Sequence, residues 1–167
     1  VLFFFNVSSV ISTLWLQAVA EAQKKGILCA FIDVECALDV KYAANIGVDV
    51  DNLIISQPDS GEQAMDIVQA LVESKQVGLI IVDSVALLTP QAEIDKTMGE
   101  STIGEQARLM GKSLRKLTSM ISENDVCLMF TNQIRMKVGT LYGNPETTPG
   151  GKALPFAASL RIKVQKT

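Results

Sequence analysis

Leu79-Ile80-Ile81-Val82 runs without a polar interruption into Asp83 and Ser84. An apolar run so short and so branched fits a strand buried on both faces, as in a parallel sheet covered by helices. A carboxylate at the C-terminal end of such a strand stands where open α/β sheets bind their ligands. In nucleotide hydrolases an acid there holds Mg²⁺, directly or through water. A strand-ending aspartate is also a common first residue of a turn, so the neighbouring segments decide between the two.

Comparable runs occupy residues 1–5, 27–33, 53–56 and 126–131, and residues 159–164 alternate enough for a final strand. Between them lie stretches of helical spacing. Residues 12–25 carry Leu14, Leu16, Ala18, Val19 and Ala22 and stop at Gly26, and residues 38–46 stop at Gly47. A third helix starts at Ser60-Gly61-Glu62-Gln63 and runs to about residue 74, with Ile67, Val68, Leu71 and Val72 on its apolar face. A fourth spans residues 105–123, with Leu109, Leu114, Leu117 and Ile121. The alternation predicts an α/β fold, a mainly parallel sheet with helices on both faces. Residues 86–103 and 134–152 are polar and lack apolar periodicity, and the second stretch holds four glycines and two prolines. Both read as long surface loops, a length that in compact domains points to function or disorder. No internal repeat or linker divides the chain.

At 167 residues the chain is long enough for one well-buried domain, and 48% hydrophobic with 20% charged residues makes it globular. No apolar run reaches the roughly 18 to 20 residues of a membrane helix. Val1-Leu2-Phe3-Phe4-Phe5 is too short for a signal peptide and lacks its basic flank. The three cysteines, Cys29, Cys36 and Cys127, have no C-x-x-C spacing, which suggests reduced thiols inside a cell. The absence of histidine removes histidine-based triads and histidine-ligated metals. The net charge of −3 is uneven. Residues 132–167 hold six basic residues against Glu146, a net +5, which leaves −8 on residues 1–131. A basic end on an acidic body suits either an anionic partner or a solvated tail.

Several strings then coincide in order and spacing. They are Phe31-Ile32-Asp33-x-Glu35-x-Ala37-Leu38-Asp39, Gly47-Val48-Asp49-x-Asp51-Asn52-Leu53, Ser56-Gln57-Pro58-Asp59-x-Gly61-Glu62-Gln63-Ala64 and Val82-Asp83-Ser84-Val85-Ala86-x-Leu88-Thr89-Pro90. Asn132-Gln133-Ile134-Arg135-Met136-Lys137 and Gly143-Asn144-Pro145-Glu146-Thr147-Thr148 complete the set. Together they closely resemble the bacterial-type RecA recombinase family from about Thr13 to Thr167. The resemblance implies a P-loop NTPase core over residues 1–167, without the family's N-terminal oligomerisation segment and C-terminal domain. It implies ATP and Mg²⁺ as cofactors, and single-stranded DNA as partner, with double-stranded DNA in strand pairing. The interior of a bacterium, plastid or mitochondrion is the implied compartment.

Residue by residue, the resemblance gives Glu35 the activation of the attacking water and Gln133 the sensing of the γ-phosphate. The strand-end position of Glu35 and the use of glutamine in other hydrolases agree with this. Ser8, Ser9, Ser12, Thr13, Asp39, Tyr42 and Asp83 match nucleotide-binding positions, with Ser12 and Asp83 at the Mg²⁺. Arg135, Lys137, Gly143, Asn144, Gly150 and Gly151 match the second DNA loop, where basic side chains meet phosphates and glycines allow close backbone approach. Ile103 matches the tip of the first DNA loop, with Arg108 and Arg115 on the helix behind it.

The resemblance breaks abruptly before Thr13. Where the family carries G-x-x-x-x-G-K-[ST], this chain has Phe5-Asn6-Val7-Ser8-Ser9-Val10-Ile11-Ser12. Phe5 and Val10 carry Cβ atoms where a phosphate cradle needs bare backbone, and Ile11 cannot neutralise the β- and γ-phosphates. ATP binding is therefore expected to be weak or absent. Cys36, Val40, Pro155 and Ala157 replace a family histidine, proline, lysine and tyrosine, while Phe156 keeps a subunit-contact position. These replacements count against ATP-coupled filament assembly. Three readings follow: a recombination and repair ATPase core with a damaged phosphate loop, a non-catalytic DNA-binding or filament-modulating relative, and an inert splice or gene-model variant in which residues 1–11 are a replaced segment.

Overall fold

The computed structural model describes residues 2–5, 8–97, 104–136 and 145–164, with side chains from Ile11 onward. Lys137, Gly143, Asn144 and Ile103 lie outside the described residues. In chain order the elements are β1 (Leu2–Phe5), α1 (Ser8–Lys24), β2 (Leu28–Asp33), α2 (Val40–Ile46), β3 (Leu53–Ser56), α3 (Gly61–Glu73) and β4 (Val77–Asp83). A 3₁₀ turn (Val85–Leu87), α4 (Gln91–Ile94), α5 (Glu105–Glu123) and β5 (Cys127–Asn132) follow. The two-residue strands β6 (Arg135–Met136) and β7 (Glu146–Thr147), then α6 (Ala153–Ala157) and β8 (Leu160–Lys163), complete the chain.

Six strands form one sheet in the order β3-β2-β4-β5-β1-β8, and every adjacent pair in it is parallel. The expected α/β core with helices on both faces is therefore present. On one face Ile11, Trp15, Leu16 and Val19 of α1 pack with Ala43 of α2 against Cys29, Phe31, Leu79 and Ile81. On the other, Met65 and Val68 of α3 and Met110, Leu114 and Leu117 of α5 cover Ile80, Val82 and Phe130. This alternation along β4 is the two-residue period of a strand. Continued by one residue, it turns Asp83 toward the α1 face, where its hydrogen bond to Ser12 lies.

Local chemistry accounts for the helix limits. Asp39 accepts a hydrogen bond from the Tyr42 N–H and caps α2, and Gly47 ends it at φ 103°. Ser60 caps α3 through the Gln63 N–H. Four expectations need correction. Helix α1 begins at Ser8 rather than residue 12, so only Asn6 and Val7 separate it from β1. Leu14 is 39% exposed, and Trp15, at 1%, takes the buried position, because Ile11, Trp15 and Val19 share one face at i, i+4, i+8. On α5 Met110 is fully buried whereas Leu109 is partly exposed. The stretches expected as loops contain structure: the 3₁₀ turn and α4 in one, and in the other an antiparallel β6–β7 pair that sets Arg135 opposite Thr147. Helix α6 was not expected either.

Candidate functional site

Adjacent strands β2 and β4 leave the sheet toward opposite faces, β2 into α2 and β4 toward α5. A crevice opens between strand ends that diverge in this way. The register sets Asp33 opposite Asp83 at that point. Asp33 is 2% exposed and fully engaged. It accepts hydrogen bonds from the backbone N–H of Ala37 (3.1 Å) and Leu38 (3.1 Å) and from Gln57 Nε2 (3.0 Å). It shapes the turn after β2, and that turn holds Glu35 at the crevice mouth.

Asp83 takes its hydrogen bonds from hydroxyls. Thr131 Oγ1 donates to Oδ1 at 2.6 Å, and Ser12 Oγ donates to Oδ2 at 3.2 Å. Ser84 Oγ donates to Glu35 Oε1 at 2.8 Å. The Asp83–Ser84 peptide bond is cis. Burial raises the Asp83 carboxyl above the ordinary carboxylate range, and Glu35 and Asp33 add to the rise, against the hydrogen bonds from Thr131 and Ser12. Among the described residues no cationic side chain contributes to that balance.

The structure brings Ser12, Glu35, Asp39, Tyr42 and Asp83 together around one cleft of about 300 Å³, walled on its apolar side by Leu16, Phe31 and Leu38. Thr13 joins it through a 2.9 Å hydrogen bond between its hydroxyl and that of Tyr42. Ser8 and Ser9 lie in the first turn of α1. Gln133 lines a second, much smaller space with Ile11, Glu35, Asp83, Ser84, Thr131 and Asn132. That space measures about 10 Å³, roughly the room of one water molecule. Ile11 is 2% exposed and belongs to the core on the α1 face.

Ser12 and Asp83 offer the hard oxygen ligands that suit Mg²⁺. Among the described residues no group of three histidine, cysteine or acidic side chains is arranged to hold a metal. Mg²⁺ with so few protein ligands depends on phosphate oxygens to complete its shell. The described residues beside Asp83 fit a phosphate poorly: Ile11 is buried there, and the space it lines with Glu35, Asp83 and Gln133 is smaller than a phosphate group.

The second group of expected residues surrounds the β6–β7 pair. Arg135 is exposed on β6. Lys152, Arg161 and Lys163 line a groove of about 510 Å³ with Ile134, Thr147 and Gly151. Glu146 on β7 meets Lys163 on β8 with both carboxylate oxygens, at 2.6 and 2.8 Å. Arg108 and Arg115 lie on α5 beside Phe156, which is 84% exposed. Arg108 pairs with Glu105 at 3.2 Å, and Arg115 Nε donates to the Gly111 carbonyl. Gly150 and Gly151 have φ of +85° and +72°. Their need for glycine is internal: a Cβ at Gly150 would lie 2.9 Å from Val85 Cγ1, and one at Gly151 2.7 Å from Ala107 Cβ.

Thr131, Asn132 and Gln106, which tie the surrounding segments together, were not read as site residues from the sequence. Thr131 and Asn132 had a visible signal, two polar residues ending an apolar strand that runs beside the Asp83 strand. Gln106 had none, because its partners, Val85, Leu88 and Gly150, are distant in sequence.

The family model described as RecA N-terminal domain matches residues 1–167. Protein RecA of Borrelia hermsii is 60% identical over 155 residues, covering 93% of this chain and 44% of the relative. Protein RecA of a Wolbachia from Brugia malayi is also 60% identical, with the same coverage, and that of Heliobacterium modesticaldum is 56% identical over 93% of this chain and 45% of the relative. The chain thus spans less than half the length of these relatives.

Proposed function

This chain belongs to the RecA N-terminal domain family, and from that premise we propose that it is the core of a DNA recombination and repair protein that meets single-stranded DNA through residues 134–152 and holds ATP weakly. The observation that carries the nucleotide half is the burial of Ile11 in the core beside Glu35, Asp83 and Gln133. Glu35 and Gln133 keep positions from which a water and a γ-phosphate could be oriented, but the phosphates have neither cradle nor counter-charge. The cleft beside Asp39 and Tyr42 would still admit a base or nucleoside.

The DNA half rests on charge and placement. Arg135, Lys152 and Arg161 stand on one region, and positive charge on a surface of that kind attracts a phosphodiester backbone. Double-stranded DNA would be a partner in strand pairing. Exposed Phe156 is suited to self-association, although Pro155 and Ala157 replace its family neighbours. Among the described residues no helix is long and apolar enough to cross a membrane.

A second reading is favoured by Ile11 itself: a non-catalytic, DNA-binding or filament-modulating member whose nucleotide site has closed. Fluorescence anisotropy with a labelled single strand, with and without Mg²⁺-ATP, separates the two. The proposed core binds weakly, in a salt-sensitive manner. Tighter binding with ATP supports the first reading and equal binding the second, whereas no binding at low salt ends both.

A further inference from the structure

We propose that Gln106 is a positioning residue that fixes residues 149–150 against the segment leaving Asp83, and so holds the described end of the 134–152 stretch in place for a single strand; this rests on the reading of that stretch as the DNA site. Gln106 sits in the first turn of α5, and its amide is used at both ends. Nε2 donates to the Val85 carbonyl at 2.7 Å and to the Leu88 carbonyl at 3.2 Å. Oε1 accepts from the Gly150 N–H at 3.1 Å. The opposite orientation of the amide would face an oxygen to two carbonyls and an NH₂ to an N–H, so the three partners define one orientation.

Each partner is a backbone group in a place where water has little access. Val85 and Leu88 are fully buried, and Gly150 is buried. Val85 and Leu88 belong to or follow the 3₁₀ turn that begins two residues after Asp83. Gly150 is pressed against the same turn, as the distance from its Cβ position to Val85 shows. A second tie reaches the loop from β5, where Asn132 Nδ2 donates to the Pro149 carbonyl at 2.9 Å. Residues 149–150 are thus pinned to the segment that follows β4, through Gln106, and to the end of β5, through Asn132. Buried backbone groups held in this way lose little entropy when a ligand settles on the loop, which is the benefit of preorganisation.

The test compares the parent chain with Gln106→Leu, which keeps size but removes all three hydrogen bonds, and with Gln106→Glu, which keeps the acceptor for Gly150 and loses both donors. Amide exchange of Gly150 by NMR reads the tether without DNA, and anisotropy with a labelled single strand at several salt concentrations reads its consequence. In Gln106→Leu, Gly150 exchange should rise by about tenfold. Affinity should fall by roughly fivefold to tenfold at every salt concentration, with the slope against log salt unchanged, because every phosphate-facing cation is still present. General destabilisation would not produce that parallel shift in a protein that remains folded. Gln106→Glu keeps the acceptor for Gly150 but sets a carboxylate oxygen against the buried Val85 and Leu88 carbonyls, so it should lose at least as much Gly150 protection and affinity as Gln106→Leu. Unchanged Gly150 exchange in Gln106→Leu, raised exchange with unchanged affinity, or an altered slope each overturns the proposal. If the parent chain binds no single strand at low salt while Gly150 stays protected, the DNA reading has failed, and Gln106 is a tether without this role.

Discussion

Asp33 and Asp83 stand in register on neighbouring parallel strands, but they are held differently. Asp33 accepts from two backbone N–H groups and Gln57, whereas Asp83 accepts from the hydroxyls of Thr131 and Ser12. Burial, then Glu35 and Asp33, raise the Asp83 carboxyl against those two hydrogen bonds. The folded state therefore holds this proton more tightly than the unfolded chain does. Between the ordinary carboxylate range and the raised value the folded state binds more protons, so this group's contribution to stability falls as pH rises through that window. Asp83→Asn removes the effect. Thermal melts should show a flatter pH dependence than the parent and, at pH 7, a Tm equal to it or up to about 4 °C higher. A clear loss of stability at pH 7 would contradict the account of this carboxylate.

Ile11 carries a packing role that a phosphate-binding side chain would not. Ile11→Ala should destabilise the fold by about 2–4 kcal/mol, because a nearly fully buried side chain leaves a cavity in the core on the α1 face. Urea denaturation measures this, and a loss below about 1 kcal/mol would mean that the site collapses without cost.

Arg135 is exposed on β6, and Lys137 follows two residues later. Replacing either with glutamine should flatten the dependence of log affinity for single-stranded DNA on log salt by about one unit for each phosphate that side chain neutralises. Affinity and slope that survive both replacements would place the DNA site elsewhere on the chain.

The three thiols should separate cleanly. Burial pushes the Cys29 thiol up to about 11 and raises that of Cys127, whereas Cys36 is exposed in the turn beside the crevice. The thiolate is the reactive form, so alkylation of the native protein should label Cys36 first and Cys29 last. Mass spectrometry of partly labelled protein checks the order, and early labelling of Cys29 would mean that the α1 face opens.

Much of the fold was legible because its elements follow simple periods. Helix α5 follows from its apolar stripe and β4 from an unbroken branched run ending in an acid. Asp83, at the end of β4, was legible for the same reason, whereas Glu35, in the turn after β2, was singled out by the family resemblance. Helix α6 was not, because five residues with Pro155 inside and Phe156 turned out to solvent give no amphipathic signal. The β6–β7 pair is likewise invisible to local reading. Two-residue strands are held by tertiary ties, the Glu146–Lys163 ion pair and the Asn132–Pro149 hydrogen bond. The substitution of Ile11 for lysine could be read from the sequence alone. Its burial follows once the helix is seen to begin at Ser8, which aligns Ile11 with Trp15 and Val19.

Calorimetric titration of Mg²⁺-ATP tests most directly the proposal that the chain holds ATP weakly. The parent chain should bind much more weakly than an intact family member. The combined Phe5→Gly, Val10→Gly and Ile11→Lys variant should recover binding, because Ser12, Glu35, Asp83 and the cleft beside Tyr42 are already in place. Low-micromolar binding by the parent chain, or no recovery in a folded triple variant, would contradict it.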